Sequence, residues 1–322
     1  MHRRQALTAI AAGWGVLAGT AQAQSFPSQP LRLIVGYTAG GAVDIVARAI
    51  AQQLQAGLGQ PVIVENKPGA GTNIAVRTLI DSAPDGHTLM LAANALAANV
   101  SLYQPAPYDL ARDITPVSLV GRVPVVLAVS ASSPHTTIAR FIAAAKAAPA
   151  SITYASPGNG STPHLAVALF ERAAGLSLIH VPYKGGPQAT TDVIGGHVQA
   201  LALNALEVQP HVRSGKLRVL AVMTPARSGI FPEVPTIAES GVAGFEAAVW
   251  YGLIAPAGLA QPVLARLHAE TQRALAAEEV KTRLASAGGE VLPASVEQWA
   301  TMLSSEKSRY EKLIREARIQ PD

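Results

Sequence analysis

The most constraining feature of this sequence is a repeated unit. A short apolar run of strand length is followed by a junction rich in Gly, Ser, Asn and Pro, and then by apolar residues at helical spacing. Leu31–Gly36 is the first such run; Thr38-Ala39-Gly40-Gly41 follows, after which Val43, Val46, Ala47, Ile50 and Leu54 recur on one helix face. Pro61–Glu65 leads through Pro68-Gly69-Ala70-Gly71 into a helix near Asn73–Asp81, and Thr88–Leu91 into a loop with a short helix over Ala92–Asn99. Alternation of this kind with short junctions predicts α/β architecture, with parallel sheets covered by helices.

Two longer apolar stretches, Val117–Val129 and Phe245–Pro256, bracket a self-contained series of the same units. It comprises helix Ile138–Ala147, strand Ser151–Ala155, helix His164–Ala173, strand Ser177–Val181, helix Pro187–Ile194, and strands Val198–Leu203 and Leu217–Met223. After Pro256 the pattern is helical, over Val263–Ala277, Glu278–Ala287 and Val296–Ala317. A chain of 322 residues is long enough to divide into two cores. The expected arrangement is a domain inserted at 125–247, with 24–124 and 248–322 forming the other domain together. The two long stretches would cross between them as hinge strands.

Residues 1–23 read as an export signal. Arg3 and Arg4 precede an apolar run, Ala6–Gly19, which ends at the small-residue site Ala21-Gln22-Ala23. The run falls short of the roughly 20 apolar residues of a spanning helix. Both the general route and the twin-arginine route stay open, because Gln5-Ala6-Leu7 matches the latter only loosely. There is no cysteine, hence no cysteine-linked lipid anchor, disulfide or thiolate chemistry. The expected location is the periplasm, in soluble form. Of the net charge of +4, two arginines belong to the signal, and no basic run exceeds two residues, so nucleic acid is not an expected partner. Aromatics at 5% argue against a sugar site of stacked rings.

Four junctions carry the candidate chemistry. In Tyr37-Thr38-Ala39-Gly40-Gly41-Ala42-Val43-Asp44 the chain enters a helix through two glycines, which lets main-chain N–H groups approach an anion. A tight turn with a dipole-matched Asp44 is the plainer reading of that segment. In Ser156-Pro157-Gly158-Asn159-Gly160-Ser161-Thr162-Pro163-His164, Thr162 is expected to cap a helix with Pro163 at its first position, behind a loop dense in donors. Pro182-Tyr183-Lys184-Gly185-Gly186-Pro187 offers Tyr183 as a cover and Lys184 as an anion attractor, although a lysine in a loop is ordinarily a solvated charge. Pro68-Gly69-Ala70-Gly71-Thr72-Asn73 is a fragment of a dinucleotide fingerprint that lacks its third glycine. The eight histidines, including His164, His180, His197 and His211, show no metal-helix spacing and read as framework; no acidic pair suggests hydrolysis. Neither a cofactor nor a metal is expected.

Across the mature length the chain resembles the Bug, or TctC-like, extracytoplasmic solute receptors of tripartite tricarboxylate transporters. The resemblance rests on Pro30-Leu31-Arg32-Leu33-Ile34-Val35, Gly40-Gly41-x-x-Asp44, Gly59-Gln60-Pro61-Val62, Glu65-Asn66-Lys67-Pro68-Gly69-Ala70-Gly71 and Pro84-Asp85-Gly86. It continues through Tyr154-Ala155-Ser156-x-Gly158-Asn159-Gly160, Val181-Pro182-Tyr183-Lys184-Gly185, Gly215-Lys216-Leu217-Arg218 and Leu253-x-Ala255-Pro256-Ala257-Gly258. It implies two Rossmann-like domains joined by crossing hinge strands, the type II periplasmic-binding-protein arrangement, closing on a small carboxylate held by loop N–H groups and ordered waters. Carried over by position, the ligand-binding set is Tyr37, Gly40, Gly41 and Asp44 with Gly158, Asn159, Ser161, Thr162, Tyr183 and Asn204. Thr38, Ala93, Asn94, His164 and Lys184 are added from the same junctions and from the pocket loop. Three positions depart from the family pattern: Gly36 for a proline, Ala92-Ala93-Asn94-Ala95 for a loop rich in small polar residues, and Leu203 for an aspartate. The apolar departures imply a less polar ligand. The expected partner is an inner-membrane permease or, in a second reading, a histidine-kinase ectodomain, with the receptor itself a monomer. An exported hydrolase built on Ser161 and His164 is the remote alternative, since no acid is placed to orient the histidine.

Overall fold

A computed structural model describes residues 26–321 apart from Ala287 and Arg318; the expected export signal lies outside the described residues. The first part of the chain runs β1 (Leu31–Val35), α1 (Ala42–Leu58), β2 (Val62–Asn66), a 3-10 turn over Ala70–Thr72, α2 (Asn73–Ile80), β3 (Thr88–Ala92), α3 (Ala95–Leu102) and α4 (Leu110–Asp113). A strand of 17 residues, β4 (Ile114–Ser130), carries the chain onward. Beyond it come α5 (Ile138–Ala147), β5 (Thr153–Ser156), α6 (Thr162–Ala174), β6 (Ile179–Pro182), α7 (Gly186–Ile194), β7 (Ala200–Asn204), α8 (Ala205–Arg213) and β8 (Leu217–Val222). The chain returns through β9 (Ala248–Pro256) to α9 (Gln261–Ala276), α10 (Glu278–Ala285), β10 (Glu290–Val291) and α11 (Val296–Ala317).

Pairing is partitioned along β4. Its first part, Ile114–Pro124, pairs antiparallel with β9, which in turn pairs antiparallel with β3; β3, β1 and β2 are parallel. Its last part, Val125–Ser130, pairs antiparallel with both β7 and β8, and β7, β5 and β6 are parallel. The sheets are therefore mixed, where the repeated unit predicts parallel ones. The physical reason lies in the connections: helical crossovers make their own strands parallel, whereas β4 and β9 carry the chain out and back and must run opposite ways. Leaving a strand at Val35 and capping α1 with Gly59 in the left-handed region (φ 70°) gives the first crossover its length.

Helix α8 is absent from the sequence-based reading, which runs from strand to strand across 204–216. Pro210 inside it removes one helical N–H, and the segment has little apolar character, so no helical period stands out. Asn204-x-x-Glu207 is nonetheless a start signal of the capping-box kind, and Ala205, Leu206 and Val208 are buried.

Asn94 holds the C-terminal helix in place. Its Oδ1 accepts from the Trp250 N–H at 3.0 Å and its Nδ2 donates to Tyr310 Oη at 2.7 Å, while the Trp250 indole N–H donates to Glu306 at 2.9 Å. These groups are buried and tie α3, β9 and α11 together. Every polar atom of the Asn94 side chain, a ligand candidate from the sequence, is engaged in these framework bonds. Asn94→Ala should cost about 1–3 kcal/mol by leaving these partners unpaired. Urea unfolding measures the loss, and amide exchange at Trp250 should quicken.

Candidate functional site

The loop after β1 is fastened from below. Asp44 Oδ2 accepts from the Gly40 N–H (2.9 Å) and Arg48 Nε (2.9 Å), and Oδ1 from Asn66 Nδ2 (3.0 Å), which also reaches the Tyr37 carbonyl (3.0 Å). Burial alone would raise the Asp44 pKa, but the bonds from Arg48, Gly40 and Asn66 outweigh it and hold the carboxyl below its ordinary range. Asp44 therefore shapes the turn, in which Gly40 takes φ +80°, and its acceptors are used there. With Gly41 as N-cap, the first N–H groups of α1 lack intrahelical acceptors.

Ser161, and not Thr162, caps α6. Its Oγ accepts from the main-chain N–H of His164 at 3.4 Å, so Thr162 is the first helical residue and Pro163 the second. The reason is spacing: a cap reaches the third helical N–H, and Pro163 has none to offer at the second position. The His164 ring accepts from the Gly160 N–H at 3.1 Å through Nδ1 and stacks on His180 at 4.0 Å between centroids. Burial lowers their pKa values to about 3 and about 4 respectively. Ser161 meets the His164 main chain instead of its ring, so the pairing needed for a hydrolase is not made. Asn159 is likewise occupied, accepting from the Gly160 N–H and donating to the Gln320 carbonyl at 3.0 Å each.

The two halves meet across a crevice. The Thr38 N–H faces the Lys184 carbonyl at 3.4 Å, and Thr38 Oγ1 packs where a Cβ on Gly185 would stand. Behind this contact lies a chamber of about 20 Å³, lined by Tyr37, Gly41, Ala93, Ser161, Thr162, Gly186, Asn204 and Glu207 among others. A wider cleft of about 720 Å³ adjoins it, sharing Tyr37 and Ser161 and adding Gly69–Thr72, Tyr103, Gly158, Asn159, Tyr183 and Lys184. The segments around Gly41 and Ser161 thus line one crevice. Tyr183 donates its hydroxyl to Asp192 at 2.6 Å, and Lys184 is exposed. Gly69–Thr72 enters the cleft as a strained turn, with Ala70, Gly71 and Thr72 all at positive φ. Among the described residues no group of three or more His, Cys, Asp or Glu side chains could hold a metal.

Glu207, which sequence reasoning missed together with its helix, lines the inner chamber. Its Oε1 accepts from Asn204 Nδ2 at 3.2 Å, and the Ala42 N–H at the start of α1 also bonds to the carboxyl. Burial raises its pKa to about 7 against the lowering effect of those two bonds. Glu207 Oε2, Asn204 Oδ1, Thr162 Oγ1 and Tyr251 Oη are buried without a hydrogen-bond partner. The expectation of a less polar pocket, drawn from Ala92-Asn94 and Leu203, leaves this carboxyl out. Between 4.5 and about 7 the unfolded chain releases the Glu207 proton while the folded chain keeps it, so stability falls as pH rises and levels off above. The two buried histidines act oppositely, withdrawing stability as pH falls below 6.5. Melting curves should show Glu207→Gln gaining on wild type from pH 4.5 to 7; a pH-independent difference would contradict the raised pKa.

Residues 46–319 match the tripartite tricarboxylate transporter family receptor. Protein BugT of Bordetella pertussis is 36% identical over 318 residues, covering 98% of each chain. The solved structure of the periplasmic binding protein BugD superposes with a TM-score of 0.88 at 30% identity, over 92% of this chain and 99% of that one. MatC from Rhodopseudomonas palustris, solved with bound malate, superposes at 0.85 with 31% identity, over 90% of this chain and all of the other. An R. palustris protein solved with adipate gives 0.88 at 32% identity, over 92% and 100%. The fold is the mixed α/β fold of periplasmic binding proteins, and the chain belongs to the TctC, or Bug, family of solute-binding receptors.

Proposed function

We propose that this receptor works in the periplasm, closing two lobes over a small carboxylate and handing it to the permease of a tripartite tricarboxylate-type transporter. The lobes correspond to 24–124 with 248–322 and to 125–247, and the Val117–Val129 and Phe245–Pro256 stretches, which hold most of β4 and all of β9, act as the hinge strands. One observation carries the reading: the starts of α1, α6 and α7 converge on a single crevice, each bringing main-chain N–H donors and the positive end of a helix dipole. Within the site residues proposed from the sequence, Tyr37, Gly41, Ala93, Ser161, Thr162 and Asn204 face the inner chamber. Gly158, Asn159, Tyr183 and Lys184 border the outer cleft. Thr38 acts at the closing contact, and Gly40, Asp44, Asn94 and His164 support the loops.

A charge-assisted hydrogen bond contributes roughly 1.5–3 kcal/mol net, so a few such bonds plus desolvation on closure reach micromolar affinity, about −8 kcal/mol. That relatives are solved with malate and adipate supports small carboxylates as the class. Among the described residues no helix is long and apolar enough to cross a membrane, which agrees with a receptor that meets its permease from outside.

A melting screen of the ligand-stripped protein tests the reading. A carboxylate at about 100 times its dissociation constant should add roughly 2.7 kcal/mol of stability. Gly185→Val should prop the lobes apart at Thr38, weakening carboxylate binding at least about ten-fold with little change in ligand-free stability, since Gly185 is extended (φ 167°) and any residue adopts that backbone. No stabilisation by any small carboxylate would end the proposal.

A further inference from the structure

The inner chamber contains an acidic side chain where a carboxylate receptor needs donors. Glu207 Oε2 fills the place a Cβ on Gly186 would take and lies 3.6 Å from where one on Gly41 would stand, so the protein's own carboxyl sits at the starts of α7 and α1, the positive ends of two helices. No basic side chain lines the chamber among the described residues. Two of the unpartnered buried atoms there are Glu207 Oε2, an acceptor only once the carboxyl is ionised, and Asn204 Oδ1, an acceptor in every state; Asn204 is 95% buried, with 5% of its surface exposed. Buried acceptors are costly unless a donor meets them. A compact cation with several N–H groups would complement both.

The chamber shares Tyr37 and Ser161 with the outer cleft, so a ligand with one end at Glu207 can extend outward. The adjoining 720 Å³ cleft has room for the remainder of a small molecule. Thr162 Oγ1, also buried without a partner and able to donate, stands at the chamber wall beside the free N–H of the first residue of α6.

We propose that Glu207 recognises an ammonium group, so that the ligand is an amino-bearing carboxylate with its cation in the inner chamber and its carboxylate toward the main-chain donors and Thr162. This rests on the reading of the crevice as a carboxylate site and names the ligand class within it. A dicarboxylate lacking an amine would set a second anion beside Glu207 and leave both acceptors unmet.

Titration calorimetry on the ligand-stripped protein at mildly alkaline pH, where Glu207 is ionised, tests this with pairs that differ only in the amine. Suitable pairs are alanine with propanoate, γ-aminobutyrate with butyrate, and glutamate with glutarate. In every pair that binds, the amino member should bind at least about ten-fold tighter, and Glu207→Gln should bring the ratio close to one. The wild-type pairs need no substitution, so a poorly folding variant leaves the test standing. Equal or tighter binding of the members without the amine overturns the ammonium assignment while the carboxylate receptor stands. An amine preference that survives in folded Glu207→Gln overturns the role of Glu207. Binding of no carboxylate, with or without an amine, removes the receptor reading and this inference with it.

Discussion

The crevice depends on helix starts that present main-chain donors to one another, because no arginine or lysine lines its inner chamber among the described residues. An N–H group at the first turn of a helix has no partner of its own and cannot move without unwinding that turn. Positioning such donors is therefore a matter of positioning whole strand–helix units. The sheets do this: α1 follows β1, α6 follows β5 and α7 follows β6, each at the end of a parallel strand. Ligand crevices of open α/β sheets form at these strand ends. Strand β4, paired with β9 at one end and with β7 and β8 at the other, sets the two groups of strand ends opposite each other.

Much of the polar chemistry around the crevice is spent on holding it. Asp44 and Asn66 clamp the first loop, Ser161 caps α6, and the His164–His180 stack is backed by Ser156 at 2.7 Å from His180 Nε2. Pro163 and Pro187, each at the second position of its helix, remove donors where none could be satisfied internally, so α6 and α7 each offer fewer free N–H groups than α1. This gives the site an uneven donor supply. Glu207 sits on the richer side, against α1, and turns part of that supply inward.

Relatives solved with malate and adipate share the fold at about a third identity, and within such a fold the ligand is decided by a few chamber residues. In this chain the chamber combines apolar Ala93 and Val249 with a buried acid and a carboxamide. A buried carboxyl with a free oxygen specifies its complement more sharply than an apolar wall does, because an unmet acceptor is penalised whereas an apolar contact merely contributes less.

The strand–loop–helix order, the bracketing stretches at Val117–Val129 and Phe245–Pro256, and the loops at Gly41 and Ser161 were legible in the sequence, because local periodicity and glycine-rich junctions encode them. Ser161 against Thr162 as cap was a one-residue error of the kind helix ends invite. For Asn94, Asp44 and His164 the sequence did not show the framework bonds they make, since a polar side chain near a loop carries no mark of what it bonds. Their partners, Tyr310, Asn66 and the Gly160 N–H, are brought up by tertiary contact or backbone geometry. Glu207 was hidden with α8, whose internal Pro210 and weak apolar pattern mask a helix that packing stabilises. Sequence by itself determined the family of fold and pointed to the junctions that line the crevice; only the tertiary structure decided which polar atoms are left unpaired there, because satisfaction of a hydrogen bond is a property of two groups distant in the chain and never of one residue.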